Sequence, residues 1–273
     1  MTTTFAICAT CGVEHSYPLP PVCAICADER QYLPLDGVQR WTTLPDLEDG
    51  RTIDIEEIEP GLHAFIVQPP VGIGHRPLLV QTDRGNLLWD PPGFISEDAI
   101  QRVRDLGGIA WIAASHPHMF GVQLEWANAF DAEVLVSEKD AGWIARQGDA
   151  IRLWDGVLEL APGLSLHRLG GHFAGSAIAH WAGADNKGVM LASDTFAPNP
   201  DIGTVTFLWS YPNRIPLSAG TVERIVNSVQ DLEFDRLYGN FAPFPILHDA
   251  KAGFMRSAQR HIDWVSGKND HLT

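Results

Sequence analysis

At 273 residues with 45% apolar side chains, the chain can bury one large core and a small appendage, and its 19% charged content argues against a disordered polymer. A formal charge of −15 opposes counterion-release binding to nucleic acid or anionic lipid, and no basic cluster offsets it. No apolar run nears the roughly 20 residues of a membrane helix, and no basic start leads into an apolar segment, so the expectation is a cytoplasmic protein without a nucleic-acid or membrane partner.

In chain order, the first feature is CxxC, eleven intervening residues, CxxC: Cys8, Cys11, Cys23 and Cys26. They are the only four cysteines, so the remainder holds no disulfide, as suits a reducing compartment. Two such knuckles can present four thiolates tetrahedrally to one structural zinc. The stretch between them holds Pro18, Pro20 and Pro21 and little apolar material, so it cannot make a core and needs an ion to order it. Two disulfides and a redox CxxC are the competing readings; the second lacks a surrounding βαβ pattern. His15 could compete as a ligand but reads as a surface residue. No Lys or Arg lies between Cys8 and Cys26, so a docking or stapling role fits better than phosphate recognition. Residues 1–38 are therefore taken as a zinc-binding module with its linker, and 39–273 as the main domain.

Asp28 to Leu47 reads as irregular, with Trp41 as an anchor. Beyond it, Gly61–Val67, Pro77–Thr82 and Asn86–Trp89 are strand-length apolar runs with a turn at Asp83-Arg84-Gly85, predicting an antiparallel meander. Ser96 caps a helix running to about Leu106, with Glu97 and Asp98 in its first turn where the dipole favours acids. Strands follow at Gly108–Ala114 and Glu133–Val136 with a helix inside Gly121–Phe130 between them. Then come strands at Leu164–Leu169, Ala177–Trp181 and Val189–Ala192, and helices at Leu217–Val229 and Lys251–Val265. Two blocks of strands separated by helices predict an α+β fold of two sheets covered by helices, layered αββα.

Three of these strands end alike. Gly108–Ala114 runs into Ser115-His116-Pro117-His118, Leu164–Leu169 into Gly170-Gly171-His172, and Val189–Ala192 into Ser193-Asp194. Ligands just past strand ends can converge at one sheet edge on rigid supports. Imidazoles suit zinc or iron, and three protein ligands with one open position make a catalytic site. The shared position singles out His116, His118, His172 and Asp194. His63, His75, His167, His180 and His261 lack it and read as surface or hydrogen-bonded core residues. The aromatic stretch from Phe196 to Trp209 is either a pocket wall, a lid or a buried loop.

The segment His116-Pro117-His118-Met119-Phe120-Gly121 resembles the HxHxDH motif of the metallo-β-lactamase superfamily, which includes the glyoxalase II-like hydrolases. Gly171-His172-Phe173-Ala174-Gly175 is similar to its third-His segment, Ser193-Asp194-Thr195 to its bridging-Asp segment, and Leu88-Trp89-Asp90 to its early supporting Asp. The likeness runs from about Ile55 to Val265. The cysteine module with Asp28-Glu29-Arg30-Gln31 resembles a subgroup with a zinc-binding N-terminus. Phe120 and Gly121 depart from the pattern, standing where the family places the Asp and His of a second metal. Asn240 falls at its final His, with His248 an off-register substitute. The resemblance therefore implies a hydrolase with one catalytic ion, zinc or iron, on His116, His118, His172 and Asp194, using a single metal-activated water. The substrate class it implies is a small ester, thioester or amide-like molecule. Two alternatives stand beside it: an iron dioxygenase using His116, His172 and Asp194, and a non-catalytic scaffold with a degenerate site.

Overall fold

Short strands fold only where neighbours cover both their edges and their faces, and the first of them, Phe5–Cys8 (β1), is buried along its whole length. The computed structural model describes residues 5–241 and 243–273, and the chain divides into two compact units at Trp154–Asp155.

In the first unit, β1 lies between Glu14–Ser16 (β2) and Trp41–Thr42 (β3), antiparallel to both, and the one-turn helix Ala24–Ala27 (α1) carries Cys26. The segment expected to be irregular is thus partly ordered. Trp41 packs against the first unit's core, and Thr43 caps a short helix, Leu44–Glu48 (α2), by a reciprocal bond with Asp46.

A seven-stranded sheet follows. Thr52–Glu59 (β4), which the sequence pattern leaves out, pairs antiparallel with Leu62–Gln68 (β5), and β5, Leu78–Val80 (β6) and Leu87–Trp89 (β7) form the antiparallel meander that the sequence predicts. In β4, Ile53 and Ile55 point inward between exposed Thr52, Asp54 and Glu56. The helix Glu97–Asp105 (α3), capped by Ser96, then crosses to Trp111–Ala113 (β8), which is parallel to β7. Gln123–Phe130 (α4) crosses to Glu133–Ser137 (β9), also parallel, and Ile151–Trp154 (β10) completes the edge. β10 escapes a pattern search because its inner residues Arg152 and Leu153 are exposed.

The second unit carries a five-stranded sheet ordered β11-β12-β13-β14-β19. Val157–Ala161 (β11), Leu164–Arg168 (β12), Ala177–Trp181 (β13) and Val189–Leu191 (β14) are antiparallel. Two small ladders follow, Ala197–Pro198 (β15) with Val205–Thr206 (β16) and Leu208–Ser210 (β17) with Ile215–Pro216 (β18). Ala219–Val229 (α5), capped by Ser218, then returns the chain to Arg236–Tyr238 (β19), parallel to β14. α5 buries Val222, Ile225 and Val229 at helical spacing, and Ala250–Val265 (α6) buries Phe254 against Phe196, Phe207 and Phe234. Phe196–Trp209 is therefore, at Phe196 and Phe207, a buried segment. Among the described residues no helix is long and apolar enough to cross a membrane.

Candidate metal centres

The four cysteines lie within the first unit and are all buried and free. Their sulfurs sit within 4.8 Å of one another, with Cys8 and Cys26 3.6 Å apart and Cys11 and Cys23 3.9 Å apart. Four thiolates on one zinc at about 2.3 Å define a tetrahedron with edges of about 3.8 Å, so the cage has the size of a closed zinc site. Its outer contacts suit thiolates. Gln39 donates Nε2–H to Cys8 Sγ at 3.2 Å while its Oε1 accepts the Cys23 amide at 3.0 Å. His15, expected at the surface, is instead buried, with Nε2 3.3 Å from Cys23 Sγ and its ring edge-on to Trp41 at 4.7 Å. Hydrogen bonds from the Cys11 and Cys26 thiols hold Cys23 far below the ordinary thiol range, so the cluster keeps negative charge at its centre.

The second cluster in this unit stands at the end of β8. Ser115 donates its amide to Asp90 Oδ1 at 2.7 Å, and its Oγ is 2.9 Å from His116 Nδ1. With Nδ1–H donating to that hydroxyl, the His116 Nε2 lone pair is directed toward His118, whose Nδ1 lies 3.2 Å away. Two imidazole nitrogens bound tetrahedrally to one ion at 2.0–2.1 Å would be about 3.3–3.4 Å apart, so this donor pair also fits a metal. Asp90 is itself pinned. It adopts φ of 56°, and His75, kept neutral by burial, donates Nε2–H to the Asp90 and Pro91 carbonyls at 3.0 and 3.2 Å.

The two residues that stand where the superfamily motif places second-metal ligands, Phe120 and Gly121, carry no donor side chain. The Phe120 ring is buried in the first unit's core. Gly121 has φ of 53°, and a Cβ there would stand 2.3 Å from the Pro91 carbonyl oxygen.

In the second unit, β12 leads to Gly170 and Gly171 with φ of 68° and 104°, and then to fully buried His172. Ser176 closes this loop: its carbonyl accepts Leu169 and Gly170 at 2.8 Å each, and its Oγ accepts Phe173 at 2.7 Å. Arg224 on α5 donates to the Leu169 carbonyl. β14 leads through Ser193, at φ of 48°, to Asp194, whose Oδ2 is 4.0 Å from His172 Nε2. Tyr211, which sequence reasoning passed over, joins both: its hydroxyl donates to the Asp194 carbonyl at 3.2 Å and its ring meets His172 edge-on at 5.6 Å. Burial, and then the charge of Asp194, push the Tyr211 hydroxyl well above the usual phenol range, so it stays a donor. Asn240 is buried just after β19, whereas the His248 side chain is 86% exposed beside Asp235.

The structure thus assembles the cysteine set and the His116–His118 pair in one unit, and the His172–Asp194 pair in the other. Of the histidines set aside as bystanders, His63 bonds Gln81 at 2.7 Å and His261 the Leu217 carbonyl at 2.8 Å.

No family model matches the chain. A protein described as uncharacterized, YmaE of Bacillus subtilis (strain 168), is 40% identical over 273 residues, covering 98% of this chain and 99% of the relative. The chain belongs to the YmaE family. Among solved structures, this YmaE-family chain is similar to a B3 metallo-β-lactamase with an active-site glutamic acid, at TM-score 0.53 and 18% identity over 79% of this chain and 91% of that one. It is also similar to the DIM-1 metallo-β-lactamase, at TM-score 0.54 and 10% identity over 79% and 98%. At such identities the likeness shows the fold, and the fold class expected from the sequence, metallo-β-lactamase-type α+β, is the one this YmaE-family chain has.

Proposed function

We propose that the chain is a metal-dependent hydrolase in which His116, His118 and His172 hold one divalent ion with Asp194 beside it, all four side chains being buried. The observation that carries this reading is the His116 Nε2 to His118 Nδ1 separation of 3.2 Å at a strand end of a chain with the metallo-β-lactamase fold. When bound, the ion supplies Lewis acidity, lowering the pKa of water toward about 7 and polarising a carbonyl.

The chain's own groups do the rest. Asp90 and Ser115 fix the ring of His116, and Tyr211 holds the Asp194 backbone beside His172. The Asp194 carboxylate is the group placed to orient a water and accept its proton. With Phe120 in the core and Gly121 closed by Pro91, a single ion is the stoichiometry these residues support. The substrate is a small ester, thioester or amide-like molecule handled as by glyoxalase II-like hydrolases, in the cytoplasm and without a nucleic-acid partner. The four cysteines hold a structural zinc, giving two ions per chain.

The test is elemental analysis of unsupplemented protein together with an ester, thioester and lactam screen. We expect two metals per chain, one of them lost in His116→Ala and in His172→Ala together with all turnover. Three metals would overturn the single-ion stoichiometry, and turnover surviving in His172→Ala would overturn the hydrolase mechanism. Iron with dioxygen uptake would replace hydrolysis by oxidation.

A further inference from the structure

Glu14 is the one acid between Cys8 and Cys26, the metal chemistry leaves it unused, and it is 2% exposed. Its backbone pairs with Ile7 of β1, and the adjoining Val13 carbonyl accepts the Cys8 amide at 2.9 Å, so its place is set by the cysteine knuckles. Its other contacts reach across more than a hundred residues. The Glu14 amide donates to the Gly121 carbonyl at 3.1 Å, and Oε1 accepts the Leu124 amide at 2.8 Å. Oε2 meets Arg146 Nη1 at 2.5 Å, and Arg146 also binds Glu125 at 2.7 Å.

These contacts fall on the stretch that follows His116 and His118. α4 has no side-chain cap from its own N-cap residue, Val122, so Glu14 supplies the carboxylate that the first turn needs. The cysteine turn is seated equally closely. A Cβ at Gly72 would meet the Cys11 carbonyl at 2.6 Å and one at Gly93 the Gly12 carbonyl at 2.8 Å, while Pro91 and Pro92 close on Gly121 from the other side. A buried carboxylate–guanidinium pair adds little net stability over an apolar substitute, but losing one partner is costly because the other charge is left buried and unpaired.

We propose that the cysteine module is a positioning device for the metal-binding histidines, with Glu14 as its contact. The cysteine-bound ion fixes Glu14, and Glu14 fixes Gly121 and the start of α4. Those two points hold the backbone that presents His116 and His118. The proposal rests on the reading that these histidines bind an ion.

The experiment uses the full chain with zinc at the cysteines, titrated with cobalt(II) and followed by its d–d absorption, in wild type, Glu14→Ala and Glu14→Gln. We expect Glu14→Ala to bind histidine-site cobalt ~10–100-fold more weakly with shifted bands while cysteine zinc is retained, as for other losses of support around a ligand. Glu14→Gln, which keeps an acceptor for Leu124, recovers part of the affinity. Equal affinity in all three overturns the proposal. Should Glu14→Ala shed its zinc, Arg146→Ala, which leaves the module's own side chains intact, decides by the same titration, and an unchanged affinity there overturns it too. Failure of the underlying reading looks different: wild type itself then takes up no cobalt that His116→Ala abolishes, and the positioning proposal falls with it.

Discussion

The cysteine cage and the His116–His118 pair share one unit of the chain but are built in opposite ways. The cage draws its cysteines from two knuckles and a one-turn helix, joined by a proline-containing stretch, and its three strands are two to four residues long. The histidines stand at the end of a central strand of a seven-stranded sheet, with Asp90 and Ser115 bracing them. On the proposed reading the ion makes the geometry in the first case, and in the second the geometry stands ready for one. The two candidate sites should therefore differ in what removing a metal does.

The largest effect tests that contrast directly. If the proposed zinc sits at the cysteines, stripping it with a strong chelator, or Cys11→Ser, removes a folding determinant whose binding energy in comparable small zinc modules is about 10–16 kcal/mol. The melting temperature should fall sharply, and residues around β1 and β2 should become protease-sensitive. His116→Ala should instead cost no more than about 1–3 kcal/mol, with the fold retained and one ion missing. Equal melting temperatures for Cys11→Ser and His116→Ala would erase the distinction.

Next in size is the closed second position. Gly121→His restores the residue type that the superfamily motif has there, but its Cβ meets Pro91 at 2.3 Å in a left-handed backbone. Overpacking of that kind costs about 1–3 kcal/mol. Denaturant unfolding should show the loss, and metal analysis should show no added ion. A stable variant with a third metal would mean that the site is open and merely lacks a ligand.

Both candidate clusters were legible in the sequence because their residues follow local rules: CxxC spacing for the cysteines, and strand-then-turn for His116, His118, His172 and Asp194. The short buried strands β6, β7, β8 and β14 read clearly for the same reason, since an unbroken apolar run between turns admits few alternatives. What could not be read depends on distant partners. Glu14 looks like a solvated acid until Leu124 and Arg146 are placed beside it, and Gln39 like a linker residue until it reaches Cys8. His15 seemed a surface residue because nothing local announces Trp41. The edge strands β10 and β11 were missed because exposed Leu153 and Val157 break the pattern on which such a reading depends.

The smallest effect separates a candidate ligand, His172, from a bystander five residues away on the same strand and loop. His167 lies on β12 with Ser165 Oγ at 2.9 Å and the His180 ring at 6.4 Å, a polar row on one face of the second sheet that His180 ties to the Glu233 carbonyl at 2.8 Å. Burial, reinforced by His180, lowers its pKa to about 4 from an ordinary value of 6.5. A histidine whose folded pKa is depressed contributes stability that is complete above 6.5 and disappears as pH falls through 4, because the unfolded chain takes up the proton first. Urea unfolding at pH 7, 5 and 4 should therefore show wild type losing stability on acidification more steeply than His167→Gln, with metal content at pH 7 the same in both. Parallel pH profiles would mean that the His167 ring is already solvated. Metal loss in His167→Gln would make it part of the site and break the line drawn here between histidines that the strand ends present and histidines that the sheet merely stores.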